Sequence, residues 1–412
     1  MNQPASCEFA TAQHFDPFDL ADPFPFYIKA RAEAPIFYSS DLDYWILTRY
    51  EDIKAVLRDL NTFSSEITGK PMREHPPEVK QILEEGGLHN YSGISMRMPP
   101  DHTRIRSFIS KAFTPARIAG LEAPIRARVR QILDTFQGGR CDIVKELTQD
   151  LPALVVFMLL GVPDEDVPIV KKWAQSRTAI TWGNQTKEQQ LELAHDMVKY
   201  WHYCLELVDK RFKNKGDDLP SELVKIYETG DRSITRLEMA SICYTMLFAG
   251  HETTSNVLAE GIKTLLTHRD AWVELCGNAS LIPNAVEELL RYCPSLFTWR
   301  RLVRTKTTLG GVELPAGAHL MLVLGSANRD ESQFRDGESF NIHRPNASEH
   351  LSLGHGLKYC LGAPLARLEA RVVLEELTAR FPSLRLASEQ NYDYLPNTSL
   401  RGPRHVWVEW DI

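Results

Sequence analysis

The feature that most constrains this chain is a glycine-rich loop that carries one cysteine and leads directly into a helix pattern. The loop covers residues 350–364 and reads HLSLGHGLKYCLGAP. Gly354, Gly356 and Gly362 allow tight turns and a close approach to a bound group. The unpaired N–H groups and the positive dipole end at the start of the following helix favour the thiolate form of Cys360.

A thiolate is a strong soft metal ligand, and the glycines leave room for a large flat group to lie on the sulfur. A single axial thiolate is how haem iron is prepared to cleave O–O bonds. The loop therefore favours haem as a cofactor. The alternative is a buried structural thiol, which is the more common role of an isolated cysteine.

His102 and Arg106 are four residues apart, so they share one face of a predicted helix. Two cationic groups placed side by side repel each other unless an anion lies between them, and the two propionates of a haem would serve. The alternative is an ordinary solvated basic face.

A long helix is predicted from the capping box at Thr235–Glu238 to Leu266. Its middle contains the sequence AGHETT, residues 249–254, in which a glycine costs about 1 kcal/mol relative to alanine. Threonine hydroxyls can also bond to carbonyls one turn earlier. We therefore expect a distorted turn, at which the Glu252 carboxylate could relay protons and the Thr253 hydroxyl could steer them. The alternative is a surface position for these polar residues.

The cysteine loop resembles that of the cytochrome P-450 monooxygenases, a haem-thiolate family. The matching pattern is Leu353-Gly354-x-Gly356-x-Lys358-x-Cys360-x-Gly362. Leu353 stands where the family usually has Phe, and Lys358 stands where it usually has Arg or His. The resemblance implies that Cys360 is the iron ligand.

Other stretches resemble further motifs of the same family. Ala249-Gly250-x-Glu252-Thr253 is similar to A/G-G-x-D/E-T, which implies that Glu252 and Thr253 are catalytic. Arg301 is similar to a second propionate-binding arginine, with Arg300 as the competing register. The haem contacts implied by the resemblance are His102, Arg106, Arg301, Lys358, Cys360, Ala249, Gly250, Gly354 and Gly362. The structural network implied by the family's E-x-x-R motif is formed by Glu288, Arg291 and Arg344.

Composition excludes several other classes of function. The 412 residues are 43% hydrophobic and 25% charged with a net charge of -7, which is ordinary for a soluble globular protein and argues against nucleic acid as a partner. The start of the chain lacks a signal-peptide pattern, and the apolar run 154–160 is too short to span a membrane. Seven scattered cysteines without a C-x-x-C pair argue against disulfides and zinc. We therefore predict a cytoplasmic protein with no membrane partner.

The resemblance implies a mainly α fold with a small β region, the triangular helical prism of cytochrome P-450 enclosing haem, in a single domain over residues 1–412. From the residues themselves we expect a helix, a hairpin over 36–48 and a second helix between 23 and 65. We also expect a short helix over 77–85 and a strand region that starts at Trp299.

The function implied by the resemblance is a haem b monooxygenase that inserts one oxygen atom into a small apolar or aromatic substrate, by hydroxylation or O/N-dealkylation. Electrons would come from NAD(P)H through a ferredoxin or through a flavin or iron-sulfur reductase. This donor would be either a separate protein or fused to the chain, and the chain itself would be a monomer. Lys358, Arg367 and Arg371 would form a basic dock for the donor, or else a solvated face. The rival functions are a peroxide-driven peroxygenase and a non-catalytic gas-binding haem protein. Pocket candidates by resemblance are Ile94, Met246, Ala249, Phe297 and Leu395.

Overall fold

The computed structural model describes residue 9 and residues 15–412 apart from 231, 232 and 395, without the side chain of residue 112. Helices make up 54% of the structure. The chain forms two compact units. The sheet unit contains residues 1–68, 122–148 and 254–412, and the helical unit contains residues 69–121 and 149–253.

The sheet unit contains three small sheets. The largest has the strand order β1-β2-β8-β5-β3, in which only β2 and β8 are parallel. The second has the order β4-β10-β9, and the third is the antiparallel pair β6-β7. The strands are β1 Ile36–Ser39, β2 Tyr44–Leu47, β3 Phe63–Ser64, β4 Arg140–Asp142, β5 Thr298–Val303, β6 Thr307–Leu309, β7 Val312–Leu314, β8 His319–Val323, β9 Arg385–Leu386 and β10 Trp407–Glu409. The predicted hairpin over 36–48 is confirmed, because β1 and β2 pair antiparallel.

Helices surround these sheets within the same unit. They are α1 Phe24–Glu33, α2 Tyr50–Arg58, α6 Glu122–Leu133, α13 Arg269–Gly277, α14 Ile282–Tyr292, α15 Leu324–Ala327 and α16 Ala363–Arg380. A π-helical turn covers Val144–Thr148, and short 3-10 turns cover Ala279–Leu281, Ala347–Glu349 and Gly356–Lys358. One face of α2 packs Tyr50, Ile53, Val56 and Leu57 into the same apolar core as β8. This core therefore forms where an amphipathic helix covers one face of the sheet.

The helical unit contains α3 Pro77–Glu85, α4 Asp101–Ala112, α5 Pro115–Gly120, α7 Leu151–Leu159, α8 Val167–Trp182, α9 Lys187–Lys213, α10 Leu219–Glu228 and α11 Arg236–Ala249. Short 3-10 turns cover Leu88–Asn90 and Asp164–Asp166. The predicted helix over 77–85 is confirmed by α3. One apolar core of the helical unit joins Val79 of α3 to Ile180 of α8 and to Ala194 and Met197 of α9.

The long helix predicted from residue 235 onward is divided into two helices. The capping box at Thr235 is formed, since its side chain accepts from the Glu238 amide and the Glu238 carboxylate accepts from the Thr235 amide. Helix α11 then ends at Ala249, and α12 covers Glu252–Thr267. The predicted distortion is thus confirmed as a complete break at residues 250–251, and Glu252 and Thr253 begin the second helix.

The E-x-x-R pair is a buried ion-pair cluster in the sheet unit. Arg291 donates to both oxygens of Glu288 at 2.7 and 2.8 Å, and the side chains of both residues are fully buried. Arg344 joins the same carboxylate at 3.2 Å. Arg291 also donates to the backbone oxygens of Asn328, Gly337 and Ser339. The predicted structural network is confirmed, since the side chains of Glu288 and Arg291 are fully buried.

Each unit is assembled from separate stretches of the chain. The prediction of a single domain over residues 1–412 stays a prediction.

We predict that Arg291→Met lowers the free energy of unfolding by about 3–5 kcal/mol. The substitution removes one of the two arginines that bind the buried Glu288 carboxylate, so its negative charge is no longer fully balanced. Denaturant unfolding of both proteins measures the loss. Arg130→Met is the matched control, since Arg130 pairs with Glu376 at 2.8 Å but is 61% exposed. The control should lose no more than about 1 kcal/mol. Equal losses in the two variants would contradict the role of burial.

Candidate active site

The loop that carries Cys360 has the tight geometry predicted for it. Gly354 and Gly356 adopt φ angles of +75° and +69°, which L side chains rarely tolerate. The Cys360 amide donates to the carbonyl of Leu353 at 2.9 Å, closing the loop. A Cβ added at Gly362 would lie 3.8 Å from the Cys360 sulfur, in ordinary van der Waals contact with it. The thiol-bearing residue is exposed, three residues before the start of α16. The alternative of a buried structural thiol is therefore wrong.

Buried hydrogen bonds hold the start of this loop to the arginine cluster. The side-chain amide of Asn328 donates to the Ser352 hydroxyl at 2.7 Å, and its oxygen accepts from the Leu351 amide at 2.8 Å. Ser352 in turn donates to the carbonyl of Leu290 at 2.5 Å. Because Arg291 binds the Asn328 carbonyl at 2.7 Å, the loop is fixed to the same buried cluster.

Arg301 lies on β5 and is only 1% exposed. One of its terminal nitrogens donates to the carbonyl of Arg300 at 2.8 Å, and its Nε has no hydrogen-bond partner among the described residues. Burial lowers the pKa of this guanidinium to about 10. Arg300, the competing register, is equally buried and donates to the Thr68 carbonyl at 3.0 Å. Among the described residues, no carboxylate forms an ion pair with Arg301, so this buried cation suits contact with a haem propionate.

The three cations expected on the cysteine side differ in their surroundings. Lys358 is partly exposed on the loop. Arg367 binds Glu287 at 2.5 and 2.9 Å, and Arg371 binds Glu122 at 2.6 Å. The two arginines are therefore largely neutralised, and the surface is less basic than the sequence alone suggests.

His102 and Arg106 share α4 in the helical unit, as their spacing predicts. His102 is 2% exposed, whereas Arg106 is partly exposed. The alternative of a solvated basic face is wrong for His102. A buried imidazole at the start of a helix, one turn before an arginine, fits the binding of an acidic group.

Gly250 is required at the helix break because no side chain fits there. A Cβ at this position would lie 2.6 Å from Cγ2 of Val156. The Thr253 hydroxyl donates to the carbonyl of Ala249 at 2.9 Å, which caps the end of α11 across the break. Ala249, Gly250, Glu252 and Thr253 are all partly exposed, so the broken turn has an accessible side.

Glu252 receives a hydrogen bond from a residue that the sequence did not single out. The Thr178 hydroxyl on α8 donates to the Glu252 carboxyl at 2.7 Å. Burial raises the pKa of Glu252 to about 7, although the Thr178 hydrogen bond lowers it. A carboxyl that titrates near neutral pH can both hold and release a proton, which suits general acid catalysis. No sequence spacing links Thr178 to Glu252, because the two residues meet only through helix packing.

Glu369 is a buried acid that the sequence analysis did not single out. It lies on α16, is fully buried, and neither carboxyl oxygen has a hydrogen-bond partner among the described residues. Burial raises the pKa of this carboxyl well above its ordinary value. Glu369 therefore holds its proton more strongly than an exposed glutamate does.

The predicted pocket residues differ in exposure. Ile94, Met246 and Ala249 are partly exposed in the helical unit. Phe297 is fully buried and packs against Phe24 and Tyr27 at ring-centroid distances of 5.7 and 5.8 Å. Phe297 is therefore wrong as a pocket residue, because protein side chains already cover it. Leu395 lies outside the described residues.

Each unit, taken by itself, carries residues that suit the binding of a haem. The sheet unit holds an exposed cysteine on a glycine loop and a buried arginine without a counter-ion, Arg301. The helical unit carries His102 and Arg106 on one helix and an acid and an alcohol at a broken turn.

Comparison with known proteins identifies the family. A family model described as Cytochrome P450 matches residues 185–400. Cytochrome P450(MEG) of Priestia megaterium is 35% identical over 350 residues, which are 84% of this chain and 84% of that protein. The chain belongs to the cytochrome P450 family.

Solved structures agree with this P450 assignment. Cytochrome P450 CREJ in complex with (4-ethylphenyl) dihydrogen phosphate is 42% identical, with a TM-score of 0.94 over 97% of this chain and 100% of that chain. Full-length CYP116B46 from Tepidiphilus thermophilus is 37% identical, with a TM-score of 0.92 over 96% of this chain and 53% of that chain.

These comparisons confirm several predictions for this P450. The fold is the P450 fold, mostly helical with small sheets. The chain is an oxidoreductase of the P450 monooxygenase class, and the family implies haem with a cysteine thiolate ligand. P450 relatives use redox partners, some of them fused. Among the described residues, none of the helices combines the length and apolar character needed to cross a bilayer.

We predict that Thr178→Val raises the pKa of Glu252 above about 7, because the substitution removes the hydrogen bond that lowers it. A carboxyl whose pKa is raised on folding stabilises the fold below its unfolded value of 4.5, and this stability is lost as pH rises towards the folded pKa. The loss of unfolding free energy should therefore end near pH 7 in the parent protein and continue above pH 7 in the variant.

Glu252→Gln is the control for this measurement, since it removes the titrating group. Subtracting its pH profile from those of the other two proteins isolates the Glu252 contribution. Identical end points for the parent and Thr178→Val would show that the hydrogen bond does not tune the acid.

We also predict that Glu369→Gln removes a separate pH dependence. Because folding raises the pKa of Glu369, the parent protein should lose stability above pH 4.5 at up to about 1.4 kcal/mol per pH unit. The glutamine variant cannot titrate and should show a shallower profile in denaturant unfolding. Glu375→Gln is the matched control on the same helix, since Glu375 is partly exposed and ion-paired with Arg371. A profile unchanged by Glu369→Gln would contradict a protonated Glu369.

Proposed function

We propose that this P450 is a haem b monooxygenase in which Cys360 supplies the thiolate and Arg301, His102 and Arg106 bind the propionates. The observation that carries the proposal is the exposed Cys360 on its glycine loop, fixed to a buried network. The uncompensated Arg301 guanidinium supports it, since a propionate would supply the missing anion. Lys358, Gly354, Gly362, Ala249 and Gly250 would complete the contacts to the cofactor.

When bound, haem supplies the iron centre at which dioxygen is activated. The described side chains would control the protons that this chemistry consumes. Glu252, with a pKa of about 7, would hold a proton on its carboxyl and release it at neutral pH. The Thr253 hydroxyl donates to Ala249, so its lone pairs are left to accept a hydrogen bond from a donor in the site. Thr178 would keep the Glu252 carboxyl in place until it transfers its proton.

We infer that electrons come from NAD(P)H through a ferredoxin or a flavin or iron-sulfur reductase. The surface around Cys360 supports docking of such a donor, because Leu357 is 46% exposed and Tyr359 is 37% exposed beside Lys358. With Arg367 and Arg371 neutralised, apolar contact would contribute more to docking than charge. In full-length CYP116B46 the matched region is 53% of the chain, so either a separate or a fused donor suits this chain. The cytoplasmic location and monomeric state stay predictions.

The substrate we propose is a small aromatic compound that gains one oxygen atom by hydroxylation or dealkylation. CREJ, 42% identical over nearly the whole chain, was solved with (4-ethylphenyl) dihydrogen phosphate, a compound of this kind. The apolar residues Ile94 and Met246 keep partly exposed side chains that suit an aromatic ring.

We predict that Cys360→Ala abolishes the absorption band that reduced haem-thiolate proteins show with carbon monoxide, because the variant lacks the thiolate. Cys276→Ala is the matched control, since this thiol lies on α13 and is only partly exposed. The control should retain the band. A band that persists in Cys360→Ala would exclude Cys360 as the ligand.

Product formation with a reductase and NAD(P)H, and separately with hydrogen peroxide, tests the reaction itself. We expect oxygenated product in the first condition and its loss in Glu252→Gln, because the acid no longer delivers protons. Product only with peroxide, insensitive to Glu252→Gln, would indicate the peroxygenase. No product in either condition would indicate a gas-binding protein.

A further inference from the structure

Arg177 is a buried arginine of the helical unit. It lies on α8 and is only 3% exposed. One terminal nitrogen donates to the Tyr91 hydroxyl at 3.1 Å and the other to the Thr181 hydroxyl at 3.3 Å. Its Nε is buried and has no partner among the described residues. Two of the five donor groups of the guanidinium thus have partners, and both partners are neutral.

No acidic residue in the described part of the chain forms an ion pair with Arg177. The carboxyls that meet neighbouring positions of α8 are bound elsewhere. Glu252 accepts from Thr178, and Asp196 accepts from Ser176. A buried guanidinium that lacks a carboxylate is costly, and proteins normally compensate it with an anion.

Three aromatic rings surround the guanidinium of Arg177. Its central carbon lies 4.5 Å from the ring centroid of Phe248, 5.3 Å from that of Tyr91 and 5.6 Å from that of Tyr244. Such cation–π contacts offset part of the cost of burial but provide no hydrogen-bond acceptor. The hydroxyl of Tyr244 is also buried without a partner among the described residues. Arg177 and Tyr244 therefore contribute two unsatisfied donors to one cluster.

The cluster is not sealed from its surroundings. Tyr91 and Phe248 are partly exposed, and so are Met246 and Ala249 on the same helix as Phe248. A molecule that contacts the exposed part of Phe248 would lie against a ring whose centroid is 4.5 Å from the central carbon of the guanidinium. This accessible side distinguishes the cluster from a purely internal arginine such as Arg291, which is fully buried against Glu288.

We propose that Arg177, with Tyr91, Thr181 and Tyr244, binds an acidic group of the substrate, a phosphate monoester or a carboxylate. This inference rests on the proposed function, because it specifies the substrate class as an aromatic compound that carries an anionic group. The guanidinium presents the planar donor geometry that suits both anions. The anion would satisfy Nε and supply the charge that the described residues lack.

The test is calorimetric binding of three probes to the holoenzyme: 4-ethylphenyl phosphate, 4-ethylbenzoate and neutral 4-ethylphenol. The parent protein should bind at least one acidic probe more tightly than the phenol. Arg177→Met should lower the affinity for that acidic probe by about 10- to 100-fold, whereas its affinity for the phenol should change by less than about threefold. Arg177→Lys keeps the charge but lacks the planar donors. Its affinity for the acidic probe should therefore lie between those of the parent protein and Arg177→Met.

Arg211→Met is the matched control in the same unit. Arg211 is also largely buried but has its own carboxylate, Asp218, at 2.6 Å. This control should leave the ratio of acid to phenol affinity unchanged. The thermal midpoint adds a second readout, since an acidic probe should raise it in the parent protein but not in Arg177→Met. The apo-protein midpoint of Arg177→Met should remain at or above that of the parent, because an uncompensated charge is removed.

Each outcome decides the inference. An affinity ratio that is unchanged by Arg177→Met, or a parent protein that prefers the phenol, overturns it and leaves Arg177 as a structural cation held by its rings. Preference for phosphate or for benzoate identifies which anion the cluster takes. Product assays separate this result from the proposed function. Arg177-dependent binding without turnover overturns the monooxygenase proposal alone. Turnover with a ratio of acid to phenol affinity that Arg177→Met leaves unchanged overturns this inference alone.

Discussion

The buried carboxylate of Glu288 is the interaction on which the site in the sheet unit depends. It binds two arginines, and Arg291 extends the contact to the backbone of Asn328. Asn328 then holds Ser352 at the start of the cysteine loop. Charges buried so completely are stable only when every partner stays in place. The position of Cys360 therefore depends on the ion pair between Glu288 and Arg291, which precede it by 72 and 69 positions in the chain.

The chemistry proposed for the site depends on the opposite condition, in which ionisable groups lack full compensation. Among the described residues, Arg301 forms no ion pair with a carboxylate, and the Glu252 carboxyl accepts a hydrogen bond from the Thr178 hydroxyl. His251, next to Glu252, gives it no positive charge, because burial lowers the pKa of this imidazole to about 4. Neutral surroundings thus keep the acid protonated up to about neutral pH. Stable ion pairs maintain the framework, and incomplete ones leave groups able to bind or exchange a proton.

Local sequence signals predicted local structure well. The hairpin over 36–48, the helix over 77–85 and the capping box at Thr235 each follow from residues within a few positions of one another. The contacts that tune the site could not be predicted this way. Thr178 reaches Glu252 only because two helices pack, and Phe297 is covered by aromatic residues from the start of the chain. Spacing along a sequence carries no information on such contacts.

The break between α11 and α12 shows how an apolar segment can determine polar chemistry. Helix α7 covers most of the apolar run 154–160, and its Val156 occupies the space where a side chain at Gly250 would lie. The φ of Gly250 is -84°, which any residue can adopt, so packing rather than conformation requires glycine here. Phe157, the next residue of α7, packs its ring on His251 at 5.8 Å. Because α7 packs on the break itself, its apolar side chains help to set where Glu252 and Thr253 begin the next helix.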